Sequence, residues 1–352
     1  MLKNEILAAW PDFRLAFSRP GFVTFKIPEN IPANSLSTLN LNSTFTRTSS
    51  VGLGKVSHDD PGTTIRTMLD QLPLDQIPTL KHVHVWERDS ALPGTRDFEP
   101  GRNPLTDALA SQIAIALAAK TGQPPATENK IAKVNDAILD VVLVEPNQWW
   151  YGWHQATTTP SRWPGGIYSI QLPPQAVSRS YLKMEEALKW ARLPIQPGDL
   201  VAEIGSAPGG SCQSLLAKGL RVHGIDPAEM DPSVLNQPNF VHVRKKAAQV
   251  RRIEFSGVKW LTADANVTPN YTLDSVEPIV THDQVNIRGM LLTLKLANWD
   301  LASKLPVYLE RIRGWGYQYI RTRQLAFNRR EICVAVMKSR ASRRIKRSRK
   351  KK

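Results

Sequence analysis

An apolar segment that runs directly into a glycine-rich turn is the feature that most constrains how this chain can fold. Residues 200–204 have the composition of a buried strand, and the turn after them, GSAPGG, leads into a helical pattern at 212–216. A second strand pattern at 220–225 ends in Asp226, twenty-one residues beyond Gly205. Strand and helix patterns continue to alternate through the C-terminal half, which is typical of a parallel sheet with helices on both faces. That half is therefore predicted to be an α/β domain.

The glycine-rich turn also has the features of a cofactor-binding loop. Its glycines allow a tight turn and close approach to a ligand, and a carboxylate at the end of the second strand can accept hydrogen bonds from ribose hydroxyls. The phosphate-binding pattern G-x-G-x-x-G is absent, and Pro208 removes an amide that a phosphate could use. A negative charge at Glu203 would repel a pyrophosphate but suits a ligand with ammonium and sulfonium groups, such as S-adenosylmethionine. The predicted cofactor-binding residues are Glu203, Gly205, Ser206, Ala207, Pro208, Gly209, Gly210, Asp226 and Asp264.

Charged residues stand at the ends of the later strand patterns in the same domain. Asp264 and Lys295 each follow an apolar run, Glu331 precedes the last run, and Lys183 lies off the apolar face of a helix that starts near Ser180, its predicted N-cap. Parallel sheets carry their functional residues at the carboxyl ends of the strands. One such charge alone is most simply a solvent-facing residue, but four of them beside a cofactor loop indicate an active site.

Five motifs in this half occur in the order of a known family. They are SRSYLKMEEAL, AEIGSAPGG, TADANVTPN, LTLKLANWD and RQLAFNRREICVAV, within residues 178–338. Together they resemble the FtsJ/RrmJ-type ribose 2'-O-methyltransferases. The resemblance implies a Rossmann-like class I methyltransferase fold and S-adenosylmethionine as cofactor. It also implies a catalytic tetrad of Lys183, Asp264, Lys295 and Glu331.

The N-terminal half is similar to the extension found in the RlmM branch of that family. SRPGF at 18–22, the run that starts at His82, and LVEPNQWWYGWH carry this likeness. Members of the branch methylate the ribose of a cytidine in large-subunit ribosomal RNA and carry a THUMP RNA-binding domain, so the resemblance implies RNA as partner. Two positions depart from the family pattern. Ser211 stands where tryptophan is common, and KKAA at 245–248 stands where an acidic residue should contact adenine.

The resemblance implies an α+β RNA-binding region, ferredoxin-like and then THUMP-like, before the methyltransferase domain. An aromatic cluster inside it, WWYGW from residue 149, has two interpretations. It is either a plug in the hydrophobic core or a surface on which exposed bases stack. The predicted segments are an N-terminal domain at 1–75, a THUMP-like domain at 76–158, a linker rich in Pro, Gly, Ser and Thr at 159–180, the methyltransferase domain at 181–338 and a basic tail at 339–352.

Charge points to a polyanionic partner. The net charge is +15, and the segment from Lys338 to Lys352 contributes ten Lys or Arg and no acid, which leaves about five for the rest of the chain (15 − 10). Such a tail attracts RNA through phosphate neutralisation, or is merely a solvated terminus. The N-terminal residues contain acids where a signal peptide would be apolar, and the longest apolar stretch is too short to span a bilayer, so no membrane role is predicted. The two cysteines, Cys212 and Cys333, have neither metal-ligand nor disulfide-framework spacing. We therefore expect no metal and a reducing, cytoplasmic location.

The reaction expected from these residues is direct transfer of a methyl group to a ribose 2'-oxygen of RNA. Lys295 is the candidate that either removes the hydroxyl proton or stabilises the developing negative charge, and the residues leave both roles open. Asp264 is expected to hold Lys295, and Glu331 to pair with Lys183. A dinucleotide oxidoreductase would need the missing phosphate loop. A non-catalytic RNA-binding ribosome-assembly factor and a ribose methyltransferase acting on transfer RNA or messenger-RNA caps remain as alternatives.

Overall fold

The computed structural model describes residues 1–29, 31, 33–39, 41–96 and 98–339, without the side chains of residues 33, 34 and 299. The predicted basic tail therefore lies almost wholly outside the described residues. The chain forms two compact units. The first comprises Met1–Gln171 and Arg323–Arg329, and the second comprises Leu172–Thr322 and the described residues from Arg330 onward.

The first unit is an α+β structure with a two-stranded and a five-stranded sheet. The strand order of the larger sheet is β3-β7-β6-β4-β5, with β4 parallel to β5 and β6, and β7 antiparallel to β6 and β3. Its elements are α1 (Leu2–Ala9), β1 (Arg14–Arg19), β2 (Phe22–Lys26), α2 (Ala33–Leu36), β3 (Val51–Val56), α3 (Pro61–Asp70), β4 (His82–Glu87), α4 (Pro104–Thr121), β5 (Thr127–Glu128), β6 (Ala137–Glu145) and β7 (Gln148–Gln155).

Helices α3 and α4 cover one face of the five-stranded sheet. Helix α4 starts at a capping box, in which the Asn103 side chain accepts from the Thr106 amide and the Thr106 hydroxyl accepts from the Asn103 amide. It ends at Gly122, whose φ of 68° is left-handed. Strand β3 and helix α3 share this core with the later strands. A domain boundary at residue 75 would therefore divide one sheet and its core.

The aromatic cluster predicted from the sequence is split between the two faces of this sheet. Trp149, Tyr151 and Trp153 are 2%, 3% and 7% exposed and pack in the core against the helices, which favours the core interpretation for these three. Trp150 points to the opposite face because side chains alternate along a strand. There its ring centroid lies 4.9 Å from that of Phe17 and 5.5 Å from that of Phe22 in the β1–β2 hairpin.

The second unit is built around a seven-stranded sheet with the order β10-β9-β8-β11-β12-β14-β13. Strands β10, β9, β8, β11 and β12 are mutually parallel, and β14 runs antiparallel to β12. The elements are α5 (Ser180–Ala191), β8 (Leu200–Ile204), α6 (Gly210–Ala217), β9 (Arg221–Ile225), α7 (Pro232–Leu235), β10 (Phe240–Val243), β11 (Trp260–Ala263), α8 (Pro269–Val280), β12 (Gly289–Lys295), α9 (Trp299–Ser303), α10 (Leu305–Gly314), β13 (Tyr319–Arg323) and β14 (Glu331–Met337).

This order confirms the Rossmann-like α/β fold expected from the sequence. The chain adds β9 and β10 on one side of β8 and then crosses over, so that β11 and β12 lie on the other side. Loops at such a switch point form a crevice at the carboxyl ends of the strands. One local prediction is wrong. Ser180 is the first residue of α5, the N-cap position is Arg179, and no side chain caps the helix. No helix in the part of the chain that the structure describes is long and apolar enough to cross a membrane.

Candidate active site

The glycine-rich turn lies between β8 and α6, at the switch point of the sheet. Gly205 adopts a φ of 79°, and a Cβ atom there would lie 2.8 Å from the Cα of Ala265. Gly209 has a φ of 124°, and a Cβ atom on Gly210 would lie 2.3 Å from the hydroxyl of Ser178. The backbone conformation and the close approach therefore require glycine at these positions.

Asp226 lies directly after β9 and is tied to the turn. One carboxylate oxygen accepts a hydrogen bond from the Ala207 amide at 3.2 Å, and the other accepts from the Ala228 amide at 2.8 Å. The side chain is half-buried. The sequence predicted that this carboxylate binds a ribose. In the structure it is hydrogen-bonded to the backbone of the predicted cofactor loop.

The remaining loop residues pack close to the start of α7. Ser206 is buried and its hydroxyl donates to the sulfur of Met230 at 3.5 Å. The carbonyl of Pro208 accepts from the Asp231 amide at 3.0 Å. A Cβ atom on Gly209 would lie 2.7 Å from the side chain of Val234. These contacts hold the loop against α7 and the residues just before it.

Glu203 differs from the sequence interpretation in its charge. It is 0% exposed, and its carboxyl group is hydrogen-bonded to the hydroxyls of Ser211, at 2.8 Å, and Thr262. Burial raises the pKa of Glu203 to about 8, although the hydrogen bond from Ser211 lowers it. The carboxyl group is therefore largely protonated at neutral pH, and the argument that a negative charge here selects a cationic ligand is wrong. Contact of Glu203 with the cofactor stays a prediction.

The four charged residues predicted as a tetrad come from four different elements and meet at one place. Lys183 lies in α5, and Asp264 follows β11. Lys295 ends β12 and is the register partner of Glu331, which begins β14. The amide of Asp264 donates to the carbonyl of Ile204 at 3.0 Å, so the tetrad adjoins the start of the cofactor loop.

The tetrad is a closed ring of alternating charges. The Nζ atom of Lys183 contacts Oδ2 of Asp264 and, at 3.0 Å, Oε1 of Glu331. The Nζ atom of Lys295 lies 3.1 Å from Oδ1 of Asp264 and 2.6 Å from Oε2 of Glu331. Each lysine thus pairs with both carboxylates, whereas the sequence had assigned one carboxylate to each. With two cations and two anions, the ring is neutral.

Electrostatics favour the ionised forms of Lys183 and Asp264. Burial lowers the pKa of Lys183, but the neighbouring carboxylates of Asp264 and Glu331 raise it more, so that it lies above the usual value. Burial raises the pKa of Asp264, but the two ammonium groups outweigh this and hold it below the usual value. The side chains are between 9% and 19% exposed, so each keeps limited access to solvent.

Sequence reasoning missed a chain of serine hydroxyls between α5 and the cofactor loop. The hydroxyls of Ser178 and Ser180 lie 2.7 Å apart, and the Ser180 hydroxyl accepts from the Ser211 amide at 3.0 Å. Ser211 in turn donates to Glu203. The departure from tryptophan at position 211 was the available signal, but only the structure shows that the serine hydroxyl is hydrogen-bonded to the buried acid.

The residues present fit S-adenosylmethionine. Gly205, Gly209 and Gly210 let the loop turn tightly and lie close against the residues behind it, and Asp226 provides a carboxylate at the end of β9. The neutral ring of the tetrad lies beside this loop. Among the described residues, no group of three or more His, Cys, Asp or Glu side chains could hold a metal ion. Both cysteines are buried.

Comparison with known proteins agrees with the geometry. Residues 176–345 match the FtsJ-like methyltransferase family. Proteins named ribosomal RNA large subunit methyltransferase M are similar to this chain. The protein of Xylella fastidiosa strain M23 is 33% identical over 183 residues, which cover 49% of this chain and 50% of that protein. The protein of Laribacter hongkongensis is 27% identical over 232 residues, which cover 62% and 61%.

The chain therefore matches about half to three fifths of the length of these relatives. Apart from Arg323–Arg329, the matched residues belong to the second unit, which contains the seven-stranded sheet, the glycine-rich turn and the ring of four charges. The part of this chain that is similar to the FtsJ-like methyltransferases is thus residues 176–345.

Proposed function

We propose that this protein is an S-adenosylmethionine-dependent methyltransferase that modifies the 2'-oxygen of a ribose in RNA, and that its substrate is a cytidine of large-subunit ribosomal RNA. The observation that carries the proposal is the closed ring of Lys183, Asp264, Lys295 and Glu331 beside the glycine-rich loop. The similarity to ribosomal RNA methyltransferases supports the choice of RNA.

Bound S-adenosylmethionine would supply a methyl group made electrophilic by the adjacent sulfonium. The ribose hydroxyl is a weak nucleophile, so it needs a group that takes its proton or stabilises its developing charge. Lys295 suits this role, because two of the three donor positions of its ammonium group contact Asp264 and Glu331. One position is left for the 2'-oxygen. Holding the oxygen in line with the methyl group provides most of the rate enhancement.

Lys183, Asp264 and Glu331 are assigned to positioning Lys295. Both carboxylates contact both lysines, so the loss of either acid leaves each lysine with one partner. Asp264 also follows the strand next to β8, which sets the ring close to the cofactor loop. We therefore expect the four residues to act as a unit whose single substitutions have non-additive effects.

Selection of one ribose among many requires contacts outside the methyltransferase domain, because a ribose carries no base identity. We assign this role to the first unit, in agreement with the RNA-binding region expected from the sequence. A cytoplasmic site of action, where ribosomal RNA is accessible, belongs to the same proposal.

The test measures transfer of labelled methyl groups to ribosomal RNA by the full chain and by its Lys295→Ala variant. We expect a loss of about 10²–10⁴ in rate, because general-base or electrostatic assistance contributes about that much. Lys304→Ala, which removes an exposed lysine of the same domain, is the matched control. Folding and cofactor binding should be unchanged in both variants.

The outcomes separate the alternatives. A near-normal rate for Lys295→Ala would contradict the assignment of this residue. Binding of cofactor and ribosomal RNA by the wild-type chain without any transfer would indicate a non-catalytic assembly factor. Transfer to transfer RNA or capped messenger RNA but not to ribosomal RNA would contradict the proposed substrate. Mapping of 2'-O-methyl positions in the product identifies the nucleotide.

A further inference from the structure

A groove of about 1450 Å³ lies entirely within the first unit. It is lined by the β1–β2 hairpin on one side and, on the other, by residues on the face of the five-stranded sheet opposite α3 and α4. Pockets for single small molecules occupy about 300–1,000 Å³. A groove of this size has room for a chain of linked groups.

The floor of the groove contains polar atoms that are buried without a partner. Asp140 is 1% exposed, and its Oδ1 atom has no hydrogen-bond partner in the described residues. The same holds for Nη1 of Arg47 and for the hydroxyls of Thr24 and Thr48, all from residues that line the groove. Buried polar groups in native proteins are nearly always paired. These donors and acceptors therefore call for a polar occupant, either water or a ligand.

Asp140 is fixed as an acceptor. Its Oδ2 atom accepts from Nδ1 of His154 at 2.5 Å, and Nε2 of the same ring donates to the carbonyl of Ser161 at 2.7 Å. Both ring nitrogens face acceptors, so both carry protons. Burial lowers the pKa of His154, but the charge of Asp140 outweighs this and raises the pKa above its usual value. Asp140 is thus held through one oxygen, and the other oxygen is left to accept a hydrogen bond.

The strands next to this carboxylate have no side chains at the positions level with it. In the strand register Asp140 pairs with Gly152 in β7, and Gly152 pairs with Gly52 in β3. Two of the three positions in this row therefore have no side chain. A Cβ atom built on Gly52 meets nothing within 4 Å. The hollow beside Asp140 thus extends to the edge strand of the sheet.

The walls of the groove combine aromatic rings and cations. Phe22, Phe25 and Trp150 line it and are only half-buried. Arg19 and Lys26 also line it and are exposed. Rings offer stacking surfaces to bases, and cations pair with phosphates. A duplex cannot present base edges to buried atoms at the floor of such a groove, whereas an unpaired strand can.

We propose that this groove binds an unpaired segment of RNA, with a base edge at Asp140 and Arg47 and the phosphates near Arg19 and Lys26. The inference rests on the proposed function, since it names the part of the first unit that contacts the RNA substrate.

The test fills the groove with a side chain that fits without strain. Gly52→Leu places a side chain in the open space at the edge-strand end of the row that contains Asp140, and its backbone has no left-handed φ. Gly314→Leu is the matched control, because a Cβ atom at Gly314 also meets nothing within 4 Å and this residue, at the end of α10, does not line the groove. The full-length wild type and both variants are titrated into a short fluorescein-labelled RNA of mixed sequence, single-stranded or annealed to its complement, and into labelled heparin.

We expect Gly52→Leu to weaken binding of the single strand by at least about tenfold, as the loss of one stacked base would. Gly314→Leu should bind like wild type, and thermal unfolding and S-adenosylmethionine binding should be unchanged in both. Equal affinity of Gly52→Leu and wild type for the single strand would overturn the proposal and leave a groove filled by water. So would affinity for duplex or heparin equal to that for the single strand, because charge alone would then explain binding.

Failure of this inference is distinguishable from failure of the proposed function. If the wild type methylates ribosomal RNA and Gly52→Leu binds the single strand as well as wild type, only the groove assignment is wrong. If the single strand binds in the groove but no RNA is methylated, the groove assignment stands and the catalytic proposal is wrong.

A second variant tests the cations. Lys26→Glu reverses an exposed charge at the groove and should flatten the slope of log affinity against log salt, because fewer counterions are released. Lys130→Glu, an exposed lysine of the same unit that does not line the groove, should keep the wild-type slope. Equal slopes for the two variants would contradict the placement of phosphates along this wall.

Discussion

The buried carboxyl group of Glu203 should make the stability of the methyltransferase domain depend on pH in an unusual direction. Its pKa lies near 8 in the folded chain, because burial penalises the ionised form, against a usual value of 4.5. A folded state that holds a proton more tightly than the unfolded chain loses stability as the pH rises. The contribution of Glu203 is therefore complete below about pH 4.5 and is lost as the pH rises through about 8.

The size of the effect follows from the two pKa values. They differ by about 3.5 (8 − 4.5), and each unit corresponds to about 1.4 kcal/mol, so the full loss is about 5 kcal/mol. Substitution of Glu203 by Gln removes the titration and keeps the shape. The amide oxygen can accept from Ser211 and the amide nitrogen can donate to Thr262, so both hydrogen bonds of the protonated acid are retained.

The quantity to follow is the difference in the free energy of unfolding, wild type minus Glu203→Gln. We expect this difference to fall by several kcal/mol between about pH 5 and about pH 9. Native-state hydrogen exchange of peptides that cover β8 and α6 reports the stability of this domain separately from the first unit. Glu254→Gln is the control. The hydrogen bond from Arg251 holds the pKa of Glu254 below its usual value, so its titration lies outside this range. A difference curve for Glu203→Gln that is flat across the range would refute the reasoning.

Three further outcomes are expected. Gly205→Val should abolish S-adenosylmethionine binding measured by calorimetry, because its Cβ would lie 2.8 Å from the Cα of Ala265 in a left-handed backbone conformation; undiminished affinity would contradict this. Asp140→Asn should destabilise the first unit by about 3 kcal/mol in chemical unfolding, because it removes the charge that faces the buried His154; a change below about 0.5 kcal/mol would show that the pair is not ionic. Removal of residues 340–352 should weaken RNA binding at low salt and flatten the slope of log affinity against log salt, with the modified nucleotide unchanged. An unaltered slope would show that this segment does not contribute to RNA binding.

Elements with strong local signals were predictable. Residues 200–204 were expected as a buried strand and form β8 with the same bounds. Their composition and the glycine-rich turn that follows them are enough to predict this element. The meeting of Asp264, Lys295 and Glu331 was also predictable, because Asp264 and Lys295 end apolar runs, Glu331 begins one, and the motif order resembles that of a known family.

Features that depend on distant partners were not predictable. Strand β3 has glycine at two of its six positions, so its pairing with β7 is not visible in its own sequence. The raised pKa of Glu203 depends on complete burial, which distant parts of the chain provide; Thr262, to which it is hydrogen-bonded, is 59 residues away. The ring pattern of the tetrad requires Lys183 and Glu331 to meet across 148 residues. Local patterns give the types of residues at such a site but not the pairing among them.

The position of β14 ties the site to the closing of the sheet. This strand follows β13 in the chain, yet it lies between β12 and β13 in the sheet. It is also the strand that places Glu331 opposite Lys295 in the register. The fourth charge of the ring is therefore in place only when β14 has inserted between its two neighbours, so the ring and this side of the sheet are completed in one step.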